Sequence, residues 1–415
     1  MDFETWWLIF VPIVFALGWV AARVDFRQMM SETRNLPDSY FKGLNFLLNE
    51  QPDRAIDAFV EVAKLDPETT ELHFALGSLF RRRGEMERAI RVHQSLLSRA
   101  DLPQADRENA QYQIAQDYLK AGLLDRAELA FEHVQETRFA IPAMRALIRI
   151  YESEHDWPKA IEAVRRLQAM ADEPVPQIVH YQCEQIELAL NPRAPDFAAA
   201  DKALDAAENA LRQLGAGHAS AAAQARVASL RARKAHLQGQ EEQERAALVS
   251  IMDTAPEYIG LFAQDLLKAY DQLGRLAAGV DLLRTHYQHY PTLDVFSILF
   301  KQIRELEGYE QAWRFARHAL RAQPSLLGLD KMLEVELQDD SHKQVPGVVN
   351  DGSPAAAIVA GADLSLLRSL IHKHTQRLDR YSCQTCGFEA KHYYWQCPGC
   401  NSWETYKPLR LEELK

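Results

Sequence analysis

Apolar positions along residues 36–337 recur with the spacing of paired amphipathic helices. In each unit a small residue is followed by an aromatic residue three positions later, and an alanine marks the next helix. The alanines Ala55, Ala89, Ala127 and Ala160 lie 34, 38 and 33 residues apart. Small residues let two helices cross closely, and aromatic rings fill the space beside the crossing. The pattern predicts a mainly α-helical chain of repeated antiparallel helix pairs.

A period near 34 residues with these positions is typical of tetratricopeptide repeats. Turn sequences around Gly84 and Gly122 separate the two helices of a repeat. The pattern is weaker between 172 and 255, where 196–214 and 221–237 still favour helices, and it returns after Tyr270. We therefore predict a tetratricopeptide-repeat superhelix over 36–337 with irregular central units.

Superhelices of this kind bind peptide segments of other proteins in an extended groove. Arg81, Arg82 and Arg83 end one helix near the predicted groove. They are explained equally by solvation at a helix C-terminus, where the helix dipole favours cations.

The N-terminal end of the chain has an uncharged apolar run over 6–22. With the three preceding residues it reaches about 30 Å as a helix, which spans a bilayer core. Asp2 and Glu4 precede the run and Arg23 and Arg27 follow it. A cleaved signal peptide, the alternative, would carry basic residues before the run. We predict a transmembrane anchor over 1–23 and a juxtamembrane linker over 24–35, with the N-terminus periplasmic and the bulk of the chain cytoplasmic.

The C-terminal end changes character after the repeats. Residues 338–363 mix turn formers with small residues and predict a flexible linker. Residues 364–380 return to helical spacing, with Leu367, Leu370 and Leu378 on one side. This apolar stripe predicts a docking helix that holds a final module, 381–415, on the last repeats.

Four cysteines in that module form two Cys-x-x-Cys pairs: Cys383, Cys386, Cys397 and Cys400. Four thiolates at this spacing predict a tetrahedral site for one Fe or Zn ion, between which sequence cannot choose. Two disulfides or four idle thiols are the alternatives. His392 lies between the pairs, but four cysteines already complete the coordination shell. A segment this small needs such an ion to fold, so its role is predicted to be structural.

Little else in the chain indicates chemistry. The net charge is −11 with no sustained basic stripe, which argues against nucleic acid as a partner. No phosphate-binding loop, nucleophile elbow or zinc-protease motif is present, so a non-enzymatic protein is predicted. Cys183 is interpreted as a buried apolar residue. The remaining notable histidines are interpreted as helix-surface or satisfied core residues: His180, His286, His289 and His318.

The order of anchor, repeats and four-cysteine tail resembles the lipopolysaccharide assembly protein B family, inner-membrane tetratricopeptide proteins with a rubredoxin-like tail. The resemblance covers nearly the whole chain and is densest over 40–48, 73–94, 117–128 and 381–410. In the tail it includes Tyr381, Trp395, Trp403 and Arg410 beside the cysteines. The 338–363 linker is longer than in the family, and the central repeats match poorly. The tail alone also resembles the zinc ribbon of a bacterial DNA-repair ATPase, but no ATPase core follows it.

The resemblance implies a single-pass bacterial inner-membrane adaptor that restrains lipopolysaccharide synthesis. Its implied partners are the lipid A deacetylase and a membrane-anchored ATP-dependent zinc metalloprotease that degrades this deacetylase. Other lipopolysaccharide synthesis or transport proteins are further implied partners. Two alternatives stay open: a scaffold that assembles such proteins without proteolysis, and a redox protein that uses a four-cysteine iron site.

Overall fold

The computed structural model of the chain describes residues 38–49, 51–65, 70–171, 174–338 and 354–414, together with Trp19. Apart from Trp19, the predicted membrane anchor and juxtamembrane linker lie outside the described residues. So does most of the predicted flexible linker. Within the described ranges, no helix is both long and apolar enough to cross a bilayer.

The described chain is mainly α-helical, as predicted, and it divides into two compact units. The first ends at Ile150 and the second runs from Tyr151 to Lys415. The first unit contains α1 (Asp38–Leu48), α2 (Pro52–Leu65), α3 (Thr70–Arg83), α4 (Met86–Leu97), α5 (Gln104–Lys120), α6 (Leu124–Glu132) and most of α7 (Ala140–Glu154). Successive helices from α1 to α6 pack against each other.

The second unit continues the series of packed helices and ends in the cysteine module. Its helices are α8 (Trp157–Ala171), α9 (Ile178–Ala189), α10 (Phe197–His218), α11 (Ala221–Leu237), α12 (Glu241–Thr254), α13 (Ile259–Gln272), α14 (Leu276–His289), α15 (Leu293–Glu307), α16 (Tyr309–Ala322), α17 (Leu326–Gln338) and α18 (Pro354–Thr375). A short 3₁₀ turn, Pro256–Tyr258, precedes α13. Two short strands follow α18, β1 (Tyr381–Ser382) and β2 (Glu389–Ala390).

Small residues lie where helices cross, which confirms the role assigned to them in the repeat pattern. The four repeat alanines are completely buried. A Cβ added at Gly43 would lie 2.6 Å from the ring of Phe59, and one at Gly279 would lie 2.7 Å from the ring of Tyr270. A Cβ at Gly77 would clash with the imidazole of His93. Larger side chains at these positions would force the paired helices apart.

The predicted turn at Gly84 is present, and its φ of 89° lies in the left-handed region that glycine adopts without strain. The two helices predicted in the irregular centre are also present as α10 and α11. The side chains of Asp196 and Ser220 cap them by accepting hydrogen bonds from backbone amides. α10 runs past the predicted end at 214 because a kink at Gly215 joins a further turn to it.

The helix that precedes the module differs from its prediction. α18 begins at Pro354, inside the predicted linker, and ends at Thr375. Leu366, Leu367 and Leu370 are 60%, 47% and 56% exposed, so the apolar stripe does not form the docking face. Instead α18 joins α17 through polar groups around Asp330, which is buried and accepts hydrogen bonds from Thr375 and His372. An apolar stripe indicates which side of a helix tends to be covered, but not whether a neighbour covers it.

Candidate metal centre and its docking contacts

The two strands and two turns of the module position the four cysteines. β1 and β2 pair antiparallel, with Tyr381 opposite Ala390. The first cysteine turn connects these strands, and Gly387 follows it with a φ of 75°, which glycine adopts without strain. The second turn is closed by a hydrogen bond from the Cys397 amide to the Ser402 carbonyl, 2.9 Å long. Both turns thus form from local backbone pairing, and each presents two sulfurs to the same point.

The four predicted ligands come together. The Sγ atoms of Cys383 and Cys400 are 3.8 Å apart, those of Cys386 and Cys397 are 3.6 Å apart, and all four lie within 4.8 Å of one another. An ion with metal–sulfur bonds of about 2.3 Å places tetrahedral sulfurs about 3.8 Å apart. All four cysteines are free thiols, so the disulfide alternative does not describe this structure. The donor set and its spacing fit one tetrahedral ion.

Hydrogen bonds favour ionisation of Cys383 and Cys400, whereas at Cys386 a backbone hydrogen bond at Phe388 is outweighed by burial and the neighbouring cysteines, which raise the pKa to about 12. The amides of Thr385 and Gly399 point at the Sγ atoms of Cys383 and Cys397, each at 3.4 Å. Burial opposes ionisation of Cys383, but hydrogen bonding from Thr405 and from backbone amides outweighs it and lowers the pKa of this thiol to about 6. A thiolate is the form that binds a metal.

A bound ion would join the two turns, and thereby hold both ends of the module together. Zinc and iron each accept four thiolates, so the ligand set does not distinguish them. Cys383 and Cys397 are buried whereas Cys386 is exposed, so one edge of the site faces solvent. His392 is exposed and lies outside the ligand group, as predicted.

The residues directly after the second cysteine turn dock the module onto the helices of its own unit. The indole Nε1 of Trp403 donates to Glu152 at 3.0 Å, and its ring stacks on His180 with centroids 4.9 Å apart. Glu404 accepts from His180 Nε2 at 2.6 Å and from Ser220 Oγ at 2.5 Å. The aromatic and acidic residues of the turn are therefore inserted between α9 and α11.

Arg226 of α11 lies beneath this contact and is only 2% exposed. Its guanidinium bonds Glu184 at 2.6 Å and Glu187 at 2.9 Å, and it lies 5.6 Å from the rings of both Trp395 and Trp403. It also lies 3.3 Å from His180 Nδ1. Arginine can only donate, so Nδ1 accepts and the imidazole proton resides on Nε2, facing Glu404. Burial, together with this arginine, lowers the pKa of His180 and favours the neutral ring.

A second docking contact is made by the last residues of the chain. Arg410 forms an ion pair with Asp294 at 2.8 Å, and the hydroxyl of Tyr381 donates to the same carboxylate at 2.7 Å. Glu413 accepts from the first amide of α15 at 2.7 Å. Glu412 accepts from the first two amides of α17 at 2.8 and 3.0 Å. The tail thus caps two helices of the repeats, where carboxylates are favoured by unpaired amides and the helix dipole.

These docking residues were not predicted as a site. Trp403 and Arg410 were recognised only as residues of a family motif. Arg226, which lies between Ala225 and Val227 in an alanine-rich helix, was the available signal, since an arginine is seldom buried without partners.

The other sequence interpretations agree with the structure. Cys183 is fully buried, and burial raises the pKa of its thiol to about 12. His180 is a satisfied core residue, His286 is half-buried and bonds the Pro256 carbonyl, and His289 and His318 are exposed. In the first unit, Arg81 forms an ion pair with the buried Asp117, with 2.8 Å between the guanidinium nitrogen and the carboxylate oxygen, and is not simply solvated.

Comparison with known proteins identifies relatives of both the module and the whole chain. A family model described as the rubredoxin metal binding domain, Zn_ribbon_LapB, matches residues 381–408. Lipopolysaccharide assembly protein B of Escherichia coli K12 is 32% identical over 405 residues, which cover 97% of each chain. The protein of the same name from Haemophilus influenzae is 27% identical and covers 98% of each chain. The C-terminal part of a tetratricopeptide-repeat protein from Cytophaga hutchinsonii superimposes with a TM-score of 0.39 at 10% identity, over 66% of this chain and 98% of that chain.

Proposed function

This chain belongs to the lipopolysaccharide assembly protein B family, and on that premise we propose that it is a non-enzymatic adaptor. It limits lipopolysaccharide synthesis by presenting the lipid A deacetylase to a membrane-anchored ATP-dependent zinc metalloprotease. Family membership supports a role in lipopolysaccharide assembly, and the proteolytic mechanism is the proposal.

One structural observation carries the adaptor mechanism. The metal module is not a separate tail, because contacts at the buried Arg226 and His180 and at the part-buried Asp294 fix it to α9, α11 and α15. Module and helices therefore form one continuous surface within the second unit. The shape of this surface depends on the cysteine site, so binding of a client to the surface should depend on that site too.

Tethering supplies the second part of the mechanism. In this proposal residues 1–23 anchor the chain in the bacterial inner membrane and the helical units face the cytoplasm. Confinement to the membrane of the protease raises the effective concentration of the two proteins for each other. The adaptor then needs only modest affinity for either partner.

The lifetime of the lipid A deacetylase after protein synthesis is blocked tests the proposal. We expect a clearly longer lifetime in cells depleted of this protein, restored by the wild-type chain but not by a Cys383→Ser/Cys386→Ser variant. A Cys183→Ala variant is the control, since it removes a thiol outside the metal site without placing a hydroxyl at this buried position. An unchanged lifetime on depletion would refute the proteolytic mechanism.

A scaffold that assembles lipopolysaccharide proteins without proteolysis is the second candidate. The word "assembly" in the name of the relatives favours it. It predicts an unchanged deacetylase lifetime together with stable recovery of synthesis or transport proteins in mild detergent.

A further inference from the structure

An apolar groove runs between α14 and α16. Its volume is about 510 Å³. Tyr287 and Phe315, both partly exposed, and Ala319 form its apolar surface, and the buried Ile303 of α15 contributes to its floor. Apolar side chains in an open groove favour a ligand that brings apolar surface of its own.

The α16 side of this groove is basic. Arg314 and His318 line the groove, and the exposed Arg317 and Arg321 lie beside Arg314 on the same helix, three and seven residues further on. Among the described residues, none of the three arginines has a carboxylate oxygen within 4.0 Å, and Arg317 bonds only the Trp313 carbonyl of its own helix.

Other arginines nearby are neutralised. On the opposite rim Arg284 pairs with Asp281 and Glu307, and the buried Arg304 pairs with Glu336. The unpaired arginines also belong to a chain of net charge −11. A concentrated, unpaired basic face in an acidic protein is complementary to an acidic ligand.

The groove continues towards the cysteine module. A smaller cavity of about 250 Å³ shares Tyr287, Pro291, Ala319 and Gln323 with it, and Leu409 and Glu412 of the tail form its other wall. An occupant of the groove would therefore lie against both the repeats and the end of the module.

We propose that this groove binds an acidic amphipathic helix of a partner protein. Arg314 and Arg321 are seven residues apart, about 10 Å along the helix axis, so two carboxylates seven residues apart on a bound helix can face them. The apolar side of that helix enters the groove, as in other helix-in-groove complexes. The identification of the partner as the adaptor's client rests on the proposed function. The binding of an acidic amphipathic helix does not rest on it.

A synthetic peptide tests the groove without any assumption about the client. The probe is a fluorescent 14-residue amphipathic helix with glutamates on one face and leucines on the other, titrated with the full-length chain in detergent. We expect saturable binding, weakened at least tenfold by Arg314→Glu/Arg317→Glu/Arg321→Glu and by Ala322→Trp, which fills the groove without changing charge. The Arg165→Glu/Arg193→Glu/Arg233→Glu variant makes the same charge change at exposed arginines elsewhere in the unit and should bind within twofold of wild type.

Two results would overturn the proposal. One is equal peptide binding by the wild type and by both groove variants. The other is a charge-reversed chain that binds the peptide as the wild type does but binds anionic lipid vesicles more weakly. The basic face would then be a membrane contact. Circular dichroism of each variant confirms that its helices are intact.

The purified deacetylase provides the separate arm. If it binds wild type and loses affinity with the groove variants, the client occupies the groove. If the peptide result holds but the deacetylase does not bind wild type, the groove stands and the proposed client is wrong. If the deacetylase binds the wild type and all variants equally, it binds outside the groove, and the proposal that the groove holds this client is wrong.

Discussion

Replacement of Arg226 by methionine should destabilise the second unit, because this side chain is the most buried cation at the module contact. The change leaves Glu184 and Glu187 without their shared partner while it keeps an unbranched apolar chain in the same space. Breaking a buried ion pair costs about 3–5 kcal/mol. The two carboxylates are 26% and 39% exposed, so water compensates part of that loss. We therefore expect a decrease near the lower limit, about 3 kcal/mol.

Urea unfolding measures this loss. Tryptophan fluorescence includes a signal from the module, since two of the seven tryptophans, Trp395 and Trp403, lie against Arg226, and far-ultraviolet circular dichroism reports the helices. Arg165→Met is the matched control, since Arg165 is exposed and has no ion pair among the described residues. It should change the free energy of unfolding by less than about 0.5 kcal/mol.

A double-mutant cycle with Trp403→Leu then separates docking from local helix stability. If Arg226 acts through the module, the two changes should be non-additive by roughly 1 kcal/mol or more. A loss below about 1 kcal/mol for Arg226→Met, or strict additivity in the cycle, would refute the view that this arginine holds the module in place.

Three further predictions concern the metal, pH and helix packing. Chelation of the ion, or Cys397→Ser, should free the module from the helices. Limited proteolysis should then cleave the chain early after residue 375 while the repeats stay intact. Unchanged cleavage would show that docking of the module does not depend on the metal. The pKa of His180 is lowered in the folded protein, so its contact contributes fully above about pH 6.5 and weakens as pH falls from 6.5 towards that lowered pKa. This pH dependence is measured as the urea midpoint between pH 7.5 and 5. It should be smaller in an Arg226 variant but still present, because burial is the larger cause of the shift. Gly77→Ala should destabilise the first unit by about 1–3 kcal/mol, because the added Cβ would clash with the buried His93. In the control, Gly217→Ala, an added Cβ contacts no other atom, so the free energy of unfolding measured in urea should stay unchanged.

The sequence predicted those features that depend on local spacing. The repeat alanines, the turn at Gly84 and the helices around 196–237 each follow from the order of residues within a few turns of chain. The cysteine cluster was predictable for the same reason, because two short turns and four thiolates suffice to define it.

Contacts between distant residues were beyond such reasoning. The hydrogen bond of His180 to Glu404 joins positions 224 residues apart, and no local pattern links an imidazole on a repeat helix to a carboxylate beyond a cysteine turn. The exposed Leu367 shows the opposite case, in which a clear apolar pattern predicted a contact that polar groups around Asp330 make instead.

The insertion of Glu404 between α9 and α11 has a consequence for biosynthesis. Arg226 leaves the ribosome 178 residues before its covering residue, Glu404, which corresponds to about 9–36 s at ordinary rates of elongation. During that interval Arg226 and His180 of the nascent repeats lack the cover that Trp403 and Glu404 later provide. The module therefore docks only after Glu404 has been synthesised, and a product truncated before this residue would leave the contact between α9 and α11 uncovered.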